Sequence, residues 1–378
     1  MQVTETKSKS ILNKHKRIDS WFVSRYGFNI YRGCLHACAY CDGRAEKYRV
    51  EGTFGEHITV KTNAPELLDR ALDPARKRVP LKRTHIMLGG GVGDSYHAIE
   101  EDYRLARRCL EVIGRRGFPV HVLTKSSLVE RDFDVLESIN RADGAIVSMS
   151  FSSTSDDISS VFEPGASRPS AKLATLARAR ERGLATGIFL LPVIPFVTDG
   201  PDVMKKALSD AKRAGVDFVV FGGMTLKEGR QKDHFMNVLR AYDRELELEY
   251  GIIYKGDPWG NATPEYYSSI GQTFSAISAA YRIPGRMPTR LYRDVLDEND
   301  RVVVMLDSLA GLLQLQGRDA PYGYAAYSVS KLTEPVSSMR SSLRSLKGVG
   351  KVTERIILEI LDTGTSSYLE SLLHAPAR

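Results

Sequence analysis

The amino-acid sequence predicts an α/β protein: a partial barrel of six parallel strand and helix units, with an α-helical appendage at its C-terminus. Through the first 250 residues, short apolar runs alternate with longer amphipathic segments, a pattern typical of a parallel sheet covered by helices. Six strands are fewer than the eight that close a full barrel. Near residue 257 the composition changes to Gly, Pro and aromatic residues, which places a boundary there.

The elements are predicted from apolar periodicity. Strands are predicted at residues 28–31, 84–88, 119–123, 145–149, 186–191 and 217–221. Helices are predicted at residues 102–117, 170–183, 201–215 and 234–251. In related α/β architectures the site lies at the carboxyl ends of the strands, so we expect it there. The predicted regions are a barrel (1–257), a helical extension suited to covering the substrate site (258–330) and a hairpin module (331–378).

Length and composition limit the class of protein. The chain has 378 residues, of which 42% are hydrophobic, enough for one large domain with appendages. Its 53 basic and 46 acidic residues give a net charge of +7, which permits a polyanionic partner without requiring one. The four cysteines are too few and too unevenly placed for a disulfide framework. Without an apolar leader or a run of 18 apolar residues, we expect a cytoplasmic protein that does not enter a membrane.

The most specific chemical signal is the segment GCLHACAYCDG. Cys34, Cys38 and Cys41 have the spacing CxxxCxxC, and three thiolates suit a four-iron four-sulfur cluster that leaves one iron open to a small molecule. Tyr40 is placed to set its ring against that molecule. The alternative is a zinc knuckle, but zinc sites usually take a fourth Cys or His, and only His36 lies nearby.

This arrangement resembles the radical S-adenosylmethionine (radical SAM) enzymes. Four further segments resemble the branch that contains spore photoproduct lyase, and the resemblance spans residues 20–250: LGGGVGDSYHAIE, PVHVLTKSSLVERDFDVL, FEPGASRPSAKL and GIFLLPVIPFVTD. The resemblance implies a 4Fe-4S cluster and S-adenosylmethionine as cofactors. It also implies an electron donor such as ferredoxin or flavodoxin.

The resemblance further implies cofactor contacts for individual residues. Lys125, followed by Ser126, would pair with the methionyl carboxylate, Ser148 would reach the ribose, and Ile194 and Pro195 would lie near adenine. The alternative for Lys125 is a solvated cation at a strand end. Backbone groups at the end of the second strand would meet the methionyl amine, at Gly89, Gly90 and Gly91.

Substrate residues are implied by the block that contains Asp94, Tyr96 and Glu100. Both acids could equally complement a helix dipole. Glu163, before Pro164, is a further family acid, with a turn carboxylate as the alternative. Three residues of the block depart from the usual Thr, Pro and Gln of the family: Gly93, Ser95 and His97.

The hydrogen that completes the reaction has no obvious cysteine donor here. Spore photoproduct lyase proper uses a cysteine near the end of the second strand, and this region has none. Cys109 lies on the apolar stripe of a helix, which favours a buried structural role. A tyrosine is the alternative donor: Tyr31, Tyr40 or Tyr96.

The C-terminal segment SSLRSLKGVGKVTERIILEILDTG resembles a helix-hairpin-helix module. Gly348 and Gly350 would let the hairpin backbone approach a phosphate, and Lys347 and Lys351 would add charge. A simple pair of helices with a glycine turn is the alternative.

Together these features predict a radical SAM enzyme that acts on nucleic acid, with DNA as partner, in lesion repair or base modification. Two alternatives stay open. One is radical SAM modification of a protein or small molecule, and the other is a non-enzymatic iron-sulfur protein that binds DNA.

Overall fold

The structure is a computed structural model that describes residues 1–48, 50, 52–76, 79–89 and 92–374. Within these residues, strands and helices form two sheets and the layers that cover them. The strands are β1 (Gln2–Thr6), β2 (Asn13–Asp19), β3 (Ser24–Phe28), β4 (Tyr31–Arg32), β5 (His57–Lys61), β6 (His85–Leu88), β7 (Val120–Thr124), β8 (Ala145–Phe151), β9 (Ala185–Val193) and β10 (Phe218–Gly223).

The helices alternate with the strands through the barrel and then follow one another. They are α1 (Ala64–Leu72), α2 (Glu100–Tyr103), α3 (Leu105–Arg115), α4 (Phe133–Ala142), α5 (Asp156–Phe162), α6 (Pro169–Glu181), α7 (Pro201–Arg213), α8 (Arg230–Tyr242), α9 (Leu246–Ile253), α10 (Pro264–Tyr281), α11 (Glu298–Leu315), α12 (Tyr322–Val329), α13 (Lys351–Thr363) and α14 (Ser367–Leu373). None of the described helices is long and apolar enough to cross a membrane.

The main sheet has the order β10, β9, β8, β7, β6, β3, β2. β3 and β6 to β10 are parallel, with register pairs such as Val122 with Val147, and β2 is an antiparallel edge strand. This confirms the predicted fold class, an α/β partial barrel of six parallel strands. A second, three-stranded sheet has the order β1, β5, β4, and its apolar residues share a core with those of β3 and β6.

Three predicted elements are placed or divided differently. β3 ends at Phe28 rather than beginning there, because the chain then leaves the sheet and Asn29 donates its side-chain amide to the Val92 carbonyl at 3.2 Å. The predicted helix 102–117 is two helices, since Arg104 takes a left-handed conformation with φ of 49°. The predicted helix 234–251 breaks between α8 and α9 at residues 243–245.

The two faces of the main sheet differ in what covers them. Along β8, Val147 and Met149 pack with the outer helices, while Ile146 and Ser148 face the concave side. This alternation follows from the period of two in a strand. The concave side is apolar at the amino ends of the strands and polar at the carboxyl ends.

The C-terminal helices close the amino ends of the barrel. α11 packs against β2, and its apolar residues share one core with Ile146 and Phe218 of the concave side. Arg290 pairs with Asp217, directly before β10, and Arg25, near the start of β3, pairs with Asp300. Most of region 258–330 therefore does not cover the carboxyl ends, because its apolar faces are used at the opposite end.

The start of that region, with Tyr254 just before it, is an exception. Tyr254 and Tyr267 both donate to the Met224 carbonyl, at 2.8 and 2.7 Å, in the loop that follows β10. They share an apolar cluster with Cys38 and Tyr40. A role of these first residues in covering the substrate stays a prediction.

Candidate active site

The three clustered cysteines lie in one loop between β4 and a short turn at Asp42–Arg44. Cys34 and Cys38 are buried, and Cys41 is half-buried. Arg44 fixes the loop by donating to the Cys38 carbonyl at 3.0 Å and to the Ala37 carbonyl at 2.8 Å. All the cysteines are free thiols.

The donor set of this loop fits an iron-sulfur cluster. Burial raises the pKa of all three thiols, that of Cys38 to about 12, so thiolates there need a cation to bind. Among the described residues, no three Cys, His, Asp or Glu side chains converge as a site for a single ion. A four-iron four-sulfur cluster would bind each of the three thiolates at a different iron.

Next to the loop lies a buried network centred on the Glu163 carboxylate. Its Oε1 accepts from Lys125 Nζ at 3.0 Å, from the Ser152 backbone N–H at 3.1 Å and from the Tyr40 hydroxyl. Its Oε2 accepts from Lys172 Nζ at 3.1 Å. Glu163 is therefore a buried hub and not merely a turn carboxylate.

Two lysines face this single carboxylate. Burial opposes the charge of Glu163, but Lys125 and Lys172 outweigh it and lower the pKa of Glu163 below its ordinary value. Burial lowers the pKa of Lys172, whereas Glu163 outweighs burial at Lys125 and raises its pKa. Lys125 is thus not a solvated cation, and two buried ammonium groups share the Glu163 carboxylate, an arrangement suited to an anionic ligand.

Asp94 connects the cysteine loop to the end of β7. Its carboxylate lies 3.1 Å from His36 Nε2 and accepts from the Thr124 hydroxyl and the Lys125 backbone N–H, both at 2.7 Å. Burial opposes its charge, but His36 and the backbone donors outweigh burial and lower the pKa of Asp94. Asp94 is therefore placed to hold Lys125 in register with the loop.

Tyr96 and Glu100 are buried, and their side chains take part in hydrogen bonds and an ion pair. The Tyr96 hydroxyl donates to Asp132 at 3.2 Å, and Glu100 pairs with Arg131 at 2.7 Å. Glu100 also accepts from the first backbone N–H groups of α3, at Leu105 and Ala106. This geometry matches the helix-start alternative for Glu100. The catalytic roles of both residues stay predictions.

Ser148 does not lie at a strand end. β8 continues to Phe151, and Ser148 is buried in its middle, 2.8 Å from His121 Nε2. Ser150, two residues on and on the same side of the strand, bonds Lys125 Nζ at 2.9 Å. The predicted strand was too short, and the serine beside the lysine is Ser150.

The other predicted cofactor contacts lie near the same end of the sheet. Gly89 has φ of 93°, and a Cβ there would lie 2.1 Å from the Leu123 carbonyl oxygen, so the neighbouring strand already requires glycine. The Ser126 hydroxyl accepts from the Leu128 backbone N–H at 3.2 Å and caps a short turn. Gly90 and Gly91 lie outside the described residues.

Ile194 and Pro195 are buried beside the cysteine loop. Ile194 shares an apolar cluster with Cys38 and Tyr40, and the Pro195 carbonyl accepts from the Tyr250 hydroxyl at 2.9 Å. Phe196, the next residue, is 39% exposed and has φ of 61°. A bulky residue rarely takes that conformation, so Phe196 joins the candidate site.

The three tyrosines considered as hydrogen donors are all bonded to carboxylates. Tyr31 donates to Glu100, Tyr40 to Glu163 and Tyr96 to Asp132. Burial raises the pKa of Tyr40 and Tyr96, so both stay protonated. Cys109 is buried in the core beneath α3, as the sequence predicts.

In the predicted hairpin module (331–378), short 3-10 turns at Val336–Met339 and Leu343–Ser345 precede the glycine turn, and α13 and α14 follow it. Gly348 has φ of 86°, and a Cβ there would lie 2.7 Å from the Ala325 backbone nitrogen. Gly350 precedes α13 and has open space around it. Lys347 and Lys351 are exposed on either side.

Sequence reasoning missed Lys172, whose side chain is fully buried at the Glu163 network. A signal was present: Lys172, Leu176 and Ala179 occupy one helical stripe of α6 and are all buried. A lysine on the apolar stripe of a helix implies a buried partner.

The chain is similar in sequence to known families and proteins. Residues 28–206 match the radical SAM superfamily, and residues 297–366 match a helix-hairpin-helix domain that starts before the predicted module. An uncharacterized protein of Mycobacterium tuberculosis is 29% identical over 285 residues, covering 74% of this chain and 81% of the relative. One of Methanocaldococcus jannaschii is 26% identical over 252 residues, covering 66% and 86%.

Solved structures share the fold. Spore photoproduct lyase complexed with dinucleoside spore photoproduct aligns with a TM-score of 0.56 and 17% identity, over 75% of this chain and 80% of that one. A mutant of that enzyme with bound AdoMet and the same dinucleoside aligns with a TM-score of 0.54 and 18% identity, over the same shares.

Proposed function

For a chain that carries a radical SAM domain followed by a helix-hairpin-helix domain, we propose an enzyme that cleaves S-adenosylmethionine reductively and abstracts hydrogen from a base in DNA. DNA lesion repair or base modification is the proposed outcome. The observation that carries the proposal is the loop of three free thiols beside a buried site where two lysines share one carboxylate.

The residues of the site divide the work of binding. Cys34, Cys38 and Cys41 would hold the 4Fe-4S cluster, and Lys125 would bind the methionyl carboxylate. When bound, the cluster and S-adenosylmethionine supply a 5′-deoxyadenosyl radical once an electron arrives from a donor of the ferredoxin or flavodoxin type. The protein then has to orient the substrate and exclude other molecules that react with the radical. The buried apolar surface at Ile194 suits both tasks.

DNA is proposed as partner because of the hairpin. Lys347 and Lys351 flank a turn that has open space at Gly350, at the start of the 13-residue helix α13. On α12, Tyr324 and Tyr327 are 69% and 53% exposed beside lysine side chains. Exposed aromatic rings beside cations suit nucleobases next to phosphates.

The test uses the full chain, reconstituted with iron and sulfide without oxygen. It is incubated with S-adenosylmethionine, dithionite and either undamaged or ultraviolet-irradiated DNA. We expect DNA to stimulate formation of 5′-deoxyadenosine and mass spectrometry to detect a changed nucleoside. Cleavage that no nucleic acid stimulates would remove DNA as substrate. Absence of any cleavage would favour the non-enzymatic iron-sulfur protein.

One observation favours a protein or small-molecule substrate instead. The hairpin is attached through α11 to the amino ends of the strands, whereas the cysteine loop lies at the carboxyl ends. The double variant K347A/K351A separates the two candidates. A DNA enzyme loses DNA stimulation and about two units of the slope of log affinity against log salt, while an enzyme for another substrate keeps its full rate with that substrate.

A further inference from the structure

We propose that Lys172 is a positioning residue for recognition of the methionyl carboxylate of S-adenosylmethionine. In this inference, which rests on the proposed function, Lys172 is the permanent counter-ion of Glu163. Lys125 is thereby free to exchange Glu163 for the carboxylate of the ligand. Neither family resemblance nor spacing assigned a role to Lys172.

The positive charges that face Glu163 come from two lysines. Glu163 Oε1 pairs with Lys125 Nζ at 3.0 Å, and its Oε2 pairs with Lys172 Nζ at 3.1 Å. Among the described residues, neither ammonium has a second carboxylate within ion-pair distance. The charge of Cys38, which lies nearby, would be used in binding iron. Asp94 also attracts Lys125, but from farther away. Two buried ammonium groups therefore share one nearby carboxylate, and buried charge is costly without a partner.

The two lysine side chains differ in their freedom to move. The Lys125 side chain follows β7 at the carboxyl end of the sheet and is 13% exposed, whereas that of Lys172 is 0% exposed. Lys172 comes from α6, donates to the Ser150 carbonyl at 2.9 Å and lies 4.3 Å from the Phe151 ring centroid. It cannot turn toward a ligand, so Lys125 is the lysine that can.

Glu163 retains three hydrogen-bond partners when Lys125 turns toward the ligand. Its carboxylate still accepts from Lys172, from the Tyr40 hydroxyl and from the Ser152 backbone N–H. The carboxylate therefore stays paired and hydrogen-bonded throughout. Without Lys172, Lys125 would be the sole counter-ion of Glu163, and its exchange would leave a buried carboxylate without an ammonium partner.

The experiment measures equilibrium binding, not turnover. Equilibrium dialysis gives the Kd of the reconstituted full chain for S-adenosylmethionine and for its decarboxylated analogue, which differs by the carboxylate alone. In the unaltered protein we expect the analogue to bind at least about tenfold more weakly, as for loss of a charge-assisted hydrogen bond. In Lys172→Met that ratio should fall at least about threefold, because Lys125 stays committed to Glu163, while any contact of the carboxylate with the open iron would be the same in both proteins.

The double variant K172M/E163Q should regain the ratio, since removal of both charges frees Lys125 again. Lys61→Met is the matched control: Lys61 is a half-buried lysine that donates to the Asn29 carbonyl at 2.6 Å and, among the described residues, has no carboxylate partner. It should keep the ratio. Should K172M fail to fold, Lys172→Gln, which keeps a polar head without the charge, replaces it.

Each outcome decides a different question. A ratio in K172M or K172Q equal to that of the unaltered protein overturns the role of Lys172, and so does a double variant that does not recover. Equal binding of both ligands by the unaltered protein overturns the inference at Lys125. An unaltered protein that binds neither ligand contradicts the proposed function itself.

Discussion

At the scale of single residues, the clustered thiols and the remaining thiol have separate tasks. Cys38 lies in the candidate metal loop, whereas Cys109 lies in the core and is 0% exposed. We expect Cys38→Ala to lose the bound iron after anaerobic reconstitution, as measured by iron content and visible absorbance. Cys109→Ala should keep the iron and lose about 1–2 kcal/mol of unfolding free energy, because it leaves a small cavity. Equal iron contents in the two variants would contradict the assignment.

The residues of the site differ in how far the sequence predicts them. The thiols and Lys125 are predicted because local spacing and a family motif identify them. Ser150 and Lys172 are not, because their roles depend on where β8 ends and on which face of α6 meets the sheet. Those are properties of packing, which a linear pattern specifies only loosely.

At the scale of elements, the two glycines of the hairpin provide a matched pair. Gly348 has φ of 86° and no room for a Cβ, whereas Gly350 has φ of −94° and open space. Gly348→Ala should lower the unfolding free energy by more than about 1 kcal/mol and weaken DNA binding. Gly350→Ala should retain stability within about 0.5 kcal/mol. Urea unfolding and fluorescence anisotropy measure both, and equal losses would contradict the role of the turn.

The elements themselves are predicted well where periodicity is strong. All six parallel strands are present, and their ends shift by at most four residues. The differences occur where a single residue determines the end of an element. Asn29 ends β3 because its side chain hydrogen-bonds a loop, and Arg104 divides a helix because it takes a left-handed conformation. Neither event alters the apolar pattern, so periodicity could not reveal it.

At the scale of the whole molecule, buried histidines make stability depend on pH. Burial lowers the pKa of His85 to about 3 and those of His97 and His121 to about 4. The unfolded chain protonates these rings near pH 6.5 and the folded chain does not, so stability is full above pH 6.5 and falls below it. Between pH 7 and pH 5 the loss should be about 2 kcal/mol for each ring.

Urea unfolding at several pH values measures this slope. His121→Gln should reduce it by up to about 1.4 kcal/mol per pH unit, the slope that one bound proton contributes. His15→Gln, at an exposed position of β2, should leave it unchanged. A stability that does not change from pH 7 to pH 5 would contradict the assignment of neutral buried rings.

The arrangement of whole regions is the level that the sequence predicts least. The boundary near residue 257 and the hairpin follow from changes in composition and from a glycine motif. The sequence does not predict that α11 closes the amino ends of the barrel. The apolar residues of α11 cover most of its circumference, so they indicate that the helix is buried without indicating its partner.

The core shared by α11 and the concave side has a consequence for the chain as a unit. Residues from β2 to α14 contribute to it, so the barrel and its C-terminal region should melt in a single cooperative transition. Shortening the chain before residue 298 would leave Ile146 and Phe218 facing water and invite aggregation. The predicted DNA-binding hairpin and the candidate active site would thus belong to one folding unit and could not be exchanged as separate domains.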